Sequence, residues 1–160
     1  MNFESQNSPQ SDSQNEVIPY WNLIFNGEIS ASSLQQISPV SFAYIGDAVY
    51  ELYVRTNFLL PPQKISDYHH QVVEKVRAEA QAAYLQNLYP ILTEIELNWV
   101  RRGRNSVNKS PRRLSLQIYQ QATGLETLLG YLYICDRPRL EYLLSQLEMS
   151  FNKNKKKQKS

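Results

Sequence analysis

The sequence predicts an all-α fold, and three observations predict it. Apolar residues return at helical spacing in one stretch after another. No stretch keeps up the period-two alternation of a strand. Proline and glycine fall between the periodic stretches, at Asn26-Gly27, Ser38-Pro39, Pro61-Pro62, Pro90 and Gly103, where they act as stops. The chain has 160 residues, which suits one domain with a real core, and it shows no internal repeat.

Residues 1–16 are rich in Ser, Gln, Asn and Asp and have almost nothing apolar to bury, so disorder is expected there. The folded domain is expected over residues 17–151, with a disordered lysine-rich tail over 152–160. Tyr20 to Phe25 forms an apolar cluster suited to a short helix, and Ser30 or Ser32 can cap another short turn through Leu34 and Ile37. The main anchor is the stretch from Phe42 to Arg55, inside a helix from about Val40 to Phe58. Phe42, Ile45, Val49 and Leu52 line one face of it, and Tyr44, Asp47, Glu51 and Arg55 another. Gly46 is disfavoured in a helix by about 1 kcal/mol against alanine. Its place directly before Asp47 suggests that something approaches the backbone there.

Ile65 to Leu88 reads as helical, in one piece or two, with Val72, Val73, Val76, Ala80 and Ala83 as its buried stripe. His69 and His70 point about 100 degrees apart on a helix, so they make no metal face together and read as surface residues. A shorter helix is expected from Ile91 to about Arg102, ended by Gly103, followed by a mobile basic loop from Arg104 to Arg113. A long helix then runs from about Leu114 to Ile134, with Ile118, Ala122, Leu125, Leu129 and Leu132 in register. A last one follows from Arg137 or Pro138 to Phe151.

Net charge is only +2, but its distribution is lopsided. No Lys or Arg precedes Arg55. No acid lies between Glu96 and Glu126, a span that holds Arg101, Arg102, Arg104, Lys109, Arg112 and Arg113. Such a block favours a polyanion, nucleic acid above all, although any one block can also be solvated surface. The single cysteine, Cys135, excludes an internal disulfide and a cysteine-based zinc site and fits a reducing compartment. No apolar run approaches the roughly 20 residues that cross a bilayer. The first residues lack the features of a secretory signal, so a cytoplasmic location is expected.

Two acids stand out. Glu126 is the only one between Glu96 and Asp136, and the small residues Ala122 and Gly130 at i−4 and i+4 leave it uncovered by its own helix. A buried carboxylate without a partner is costly, so it needs an arginine, a metal ion or an exit to water. Taken singly, Asp47 also reads as a solvated acid on a core helix, Glu51 as the i,i+4 partner of Arg55, and Glu126 as a half-exposed surface acid. If the two helices cross in the core, Asp47 and Glu126 can share a divalent ion. Their hard oxygens suit Mg2+, and with the basic block the matching reaction is metal-assisted phosphodiester hydrolysis.

Residues 43–55, Ala-Tyr-Ile-Gly-Asp-Ala-Val-Tyr-Glu-Leu-Tyr-Val-Arg, resemble the signature helix of the ribonuclease III catalytic domain. The likeness is to the compact branch, Mini-ribonuclease III, which lacks the separate domain for binding double-stranded RNA. Arg101-Arg102-Gly103-Arg104-Asn105 resembles that branch's arginine-glycine-arginine motif, and Ala122 to Tyr133 its second catalytic helix. The resemblance spans about Pro39 to Leu147. It implies Asp47 as the catalytic aspartate and Glu126 as the paired metal-binding glutamate. It also implies a homodimer that holds duplex RNA in a valley, with the central helix contributing to the dimer contact. RNA would be gripped by Arg101, Arg102, Arg104, Asn105, Lys109, Arg112 and Arg113, with Arg77 adding to them. Where the wider family has two further acids, this chain has Ala43 and Thr123.

The implied function is a Mg2+-dependent, double-strand-specific endoribonuclease that matures precursor large-subunit ribosomal RNA. Two other readings stay open on the sequence: a catalytically silent, RNA-binding ribosome component, and a helical protein-interaction domain with a basic tail.

Overall fold

The computed structural model describes residues 29–147. The expectations for residues 1–28 and 148–160, including the two disordered ends, the helix at Tyr20–Phe25 and the far end of the last helix, lie outside the described residues. Among the described residues seven α-helices follow one another: α1 (Ala31–Gln36), α2 (Pro39–Asn57), α3 (Ile65–Val76), α4 (Ala78–Leu88), α5 (Glu94–Asn105), α6 (Leu116–Cys135) and α7 (Arg137–Ser145). A 3-10 turn, Tyr89–Ile91, joins α4 to α5, and no strand occurs among the described residues. The all-α expectation holds.

The helix starts are written locally. Ser30, Ser38, Thr93, Ser115 and Asp136 each stand at an N-cap, and their side chains accept a backbone N–H three residues on. Thr93 and Glu96 complete a reciprocal capping box. Pro39 fits the first turn of α2, where no N–H is needed. Between α3 and α4 only Arg77 is extended, at ψ 152°, so the long helical stretch is two pieces.

The enclosed helix is α6, not α2. From Gln121 to Gly130 every residue of α6 except Glu126 is buried, and α2, α4 and α5 pack around it. A helix that is apolar on nearly all sides belongs inside a bundle. Tyr50, Val54, Leu85, Val100, Leu125, Leu128 and Leu129 form the centre of the core.

Three expectations are corrected. On α2 the buried stripe is Phe42, Ala43, Gly46, Tyr50 and Val54, while Leu52 is 66 % exposed and Ile45 and Val49 are half-buried. Both stripes repeat at helical spacing, but only the one carrying Gly46 lets α2 reach the α6 backbone. On α3 and α4, Val72 is buried but Val73 and Ala83 are exposed, because Gln81, Tyr84, Leu85 and Leu88 turn inward instead. Gly103 does not end α5. It is buried inside the helix, and a Cβ there would lie 2.3 Å from Thr127 Oγ1. Its role is close packing on α6, so Arg104 and Asn105 are helical rather than part of the loop.

An ion pair absent from the sequence reading fastens α5 to α7. Arg139 donates from Nε to Glu96 Oε1 at 2.7 Å and from one terminal nitrogen to Oε2 at 2.9 Å and to the Ile91 carbonyl at 2.7 Å. Burial pushes the Glu96 carboxyl up, but the Arg139 bonds and the Thr93 backbone N–H outweigh it and hold it below its usual range. Its contribution to stability is therefore present above the ordinary glutamate range and lost as pH falls through the lowered value. Arg139→Met strands a nearly buried carboxylate and is expected to cost about 3 kcal/mol, measured by urea denaturation near neutral pH.

Candidate active site

The site is made by two helix backbones in contact. A Cβ on Gly46 would lie 1.7 Å from the Glu126 carbonyl oxygen, and one on Gly130 would lie 1.9 Å from the Phe42 carbonyl oxygen. Only paired glycines allow α2 and α6 to cross this closely. Asp47 follows Gly46 on α2, and Glu126 is the α6 residue that Gly46 faces. Their side chains therefore leave the same crossing point.

Both acids line one open cavity of about 320 Å³, together with Val40, Ala43, Tyr44, Val107, Tyr119 and Thr123. The structure thus brings together the two acids that the sequence singled out. Ala43 and Thr123 line the same cavity. No cluster of three or more His, Cys, Asp or Glu side chains suited to a metal occurs among the described residues. The protein donors here are two carboxylates.

Burial pushes the Glu126 carboxyl up to about 7, the Asp47 charge adds to the rise, and a hydrogen bond from Gln81 opposes it. Asp47 is raised by burial and then by Glu51. Glu51 is engaged by Arg55 on the next turn, as expected. Two mutually repelling carboxylates at a partly dry crossing form a strained site that a divalent cation would relieve. Glu126 titrates near 4.5 in an unfolded chain and near 7 in the folded one. The contribution of Glu126 to folding is thus most favourable below 4.5, and it is lost as pH rises through 7. Glu126→Gln is expected to raise metal-free stability at pH 8 by up to about 3 kcal/mol and to give no gain at pH 4, measured by thermal melts at both values.

None of the expected RNA-contacting residues forms the cavity wall, but their segment passes over it. Val107 lines the cavity, and its carbonyl accepts Gln120 Nε2 at 3.0 Å. Asn105, Lys109, Arg112 and Arg113 are exposed. Arg101 is exposed and bonds Asn98 Oδ1 at 2.8 Å. Arg102 lies 4.0 Å over the Trp99 ring, which itself stacks on Tyr131. Arg104 runs its stem along Gly124 and buries an unpaired Nε. Arg77 is exposed at the α3–α4 break. His69 and His70 are exposed, and His70 faces Glu74. The sequence reading missed Gln81, Tyr119 and Val107. A glutamine between Ala80 and Ala82 on an amphipathic helix was the one available signal, and it did not show which way the side chain faced.

The helical bundle and its paired acids define the class of domain. The family model described as Ribonuclease III domain matches residues 40–137. A Mini-ribonuclease 3 of Synechocystis sp. is 51% identical over 131 residues, covering 82% of this chain and 91% of that protein. A Mini-ribonuclease 3 of Synechococcus sp. is 53% identical over 122 residues (76% and 88%), and one of Thermoanaerobacter sp. 40% identical over 124 (76% and 86%). A crystallised protein from Fusobacterium nucleatum shares the fold, with a TM-score of 0.66 at 24% identity over 71% of this chain and 93% of that one. The chain belongs to the ribonuclease III family, in the branch formed by these Mini-ribonuclease 3 proteins.

Proposed function

We propose that the protein is a Mg2+-dependent endoribonuclease that hydrolyses phosphodiester bonds in double-stranded RNA, as a homodimer, in the cytoplasm. The observation that carries this reading is the shared cavity of Asp47 and Glu126 at the Gly46–Gly130 crossing. The donor set fits Mg2+, which accepts a few carboxylate oxygens and keeps several waters and phosphate oxygens for the rest of its shell. When bound, such an ion activates water and offsets charge on the phosphate and leaving oxygen.

Asp47 and Glu126 supply the anionic ligands, and the small Ala43 and Thr123 leave room beside them. Val107, inside the basic segment, and Tyr119, beyond its end, line the cavity as well. Duplex RNA presents phosphates and 2′-hydroxyls across a shallow minor groove, so recognition should follow shape more than sequence. The exposed side of α2 and the turn after it, with Tyr44, Leu52, Leu59, Leu60 and Ile65, support pairing with a second copy. Maturation of precursor large-subunit ribosomal RNA is the task we assign by membership of the branch.

The test is a duplex RNA incubated with the protein in Mg2+ or in EDTA. Cleavage only with Mg2+ supports the reading, and intact RNA under both conditions with binding retained would favour a silent RNA-binding module. That alternative draws on Ala43 and Thr123, which leave the cavity with only two acids. Neutralising Arg101, Arg102 and Arg104 together is expected to weaken binding and flatten its salt dependence by about one to three units of log–log slope. Arg102 should contribute least, being stacked on Trp99. Affinity titrations at several salt concentrations check this.

A further inference from the structure

The wall of the cavity shared by Asp47 and Glu126 carries two acids and no basic side chain. Apart from the acids, its polar side chains are three hydroxyls, those of Tyr44, Tyr119 and Thr123. Tyr44 is 79 % exposed, on the side of α2 that supports pairing with a second copy. The other two stand on α6 at i and i+4, and Glu126 follows at i+7, so α6 turns all three toward one side.

The fold does not use these two hydroxyls. Among the described residues neither has a hydrogen-bond partner, whereas comparable groups nearby do. Thr127, one turn further along α6, donates to the Thr123 carbonyl at 2.7 Å. The hydroxyls of Tyr50, Tyr53 and Tyr68 each donate to a backbone carbonyl, and that of Tyr89 donates to Gln121 Oε1. Thr123 is only 5 % exposed, and a polar side chain so deeply buried ordinarily finds a partner within the protein. The space it lines is the cavity. Beside Tyr119, Gln120 Nε2 donates to the Val107 carbonyl at 3.0 Å, which fixes the backbone of the basic segment to α6.

We infer that the Tyr119 and Thr123 hydroxyls bind a non-bridging oxygen of the RNA phosphodiester at this cavity, as two neutral donors beside the two acids. This rests on the reading of the cavity as a site of phosphodiester hydrolysis. Carboxylates repel a phosphate, so the oxygens that an ion does not take need donors from the chain. The cationic side chains between Arg101 and Arg113 lie outside the cavity wall and serve other phosphates of the duplex. Threonine and tyrosine hydroxyls are regular partners of phosphate oxygens, and a charged acceptor strengthens the bond.

The experiment compares full-length wild type, Tyr119→Phe and Thr123→Val, with Asp47→Asn alongside. Each hydroxyl variant loses one donor and keeps nearly all of the side-chain volume. Cleavage of duplex RNA in Mg2+ gives KM and kcat, duplex affinity is titrated against salt in the Asp47→Asn background, and every variant is melted. For both hydroxyl variants KM is expected to rise and affinity to fall about tenfold, with kcat within about threefold. The log–log salt slope should stay at the value for Asp47→Asn alone, because a neutral donor displaces no counterion. Tm should stay within about 3 °C, since neither hydroxyl holds the fold together. Wild-type KM and affinity in both variants, beside an inactive Asp47→Asn, overturn the inference and leave the proposed site standing. Full cleavage by Asp47→Asn overturns the site and this inference with it. If one hydroxyl variant fails to fold, the other is read in the same way. If neither folds, the hydroxyls belong to the structure of the domain and the inference is overturned.

Discussion

Asp47→Asn is expected to abolish cleavage of duplex RNA, lowering the rate by about a thousandfold or more, while fold and duplex affinity stay at wild-type levels. The substitution keeps the volume and removes one of the two charges on the cavity wall. The Asp47 side chain is exposed to the cavity and is no part of the core, so melting should change little. A second readout separates loss of a ligand from loss of structure. Glu126 is raised first by its own burial and then by the Asp47 charge. In Asp47→Asn its titration should therefore move down without returning to the ordinary glutamate value. Carboxyl resonances followed by NMR across pH 4 to 8 report this, and single-turnover cleavage with binding in EDTA reports the rest. Wild-type cleavage by Asp47→Asn would remove Asp47 from the mechanism.

Gly46→Ala is expected to have the largest effect on stability. The added carbon would sit 1.7 Å from the Glu126 carbonyl oxygen and 2.8 Å from the Gly130 nitrogen, both backbone atoms. No rotamer change relieves a clash with backbone, so α2 and α6 must move apart along the largest helix contact in the domain. Overpacking of this kind costs about 3 kcal/mol or more, which lowers Tm by roughly 10 °C in a domain of this size. Gly130→Ala, with its Cβ 1.9 Å from the Phe42 carbonyl oxygen, should behave alike. Helix propensity argues the other way, since alanine is favoured by about 1 kcal/mol in a helix interior. Thermal melts thus decide between local preference and tertiary contact. A stabilised Gly46→Ala would mean that the helices do not touch here.

The same two glycines explain why the site was readable at all. Helix-unfriendly residues inside apolar stretches, one directly before Asp47 and one four residues past Glu126, mark places where backbone must meet backbone. Asp47 and Glu126 could be picked out for that reason, and motif likeness gave them roles. Gly103 carries the same signal yet reads as a stop, because a glycine in a close contact and a glycine after a helix end look alike in one dimension.

By itself the sequence determined the all-α class, the break at Ser38-Pro39 that precedes α2, the lopsided charge and the two unusual acids. These follow from periodicity, capping chemistry and composition, which act over a few residues. Tertiary structure alone decided which stripe of α2 is buried, that α6 is the enclosed helix, that Arg139 reaches back to Glu96 and that Gln81 turns inward. Each of those depends on which face of one helix meets which face of another. Helical spacing offers several faces of similar apolarity, and only the close fit of glycine against backbone chooses among them.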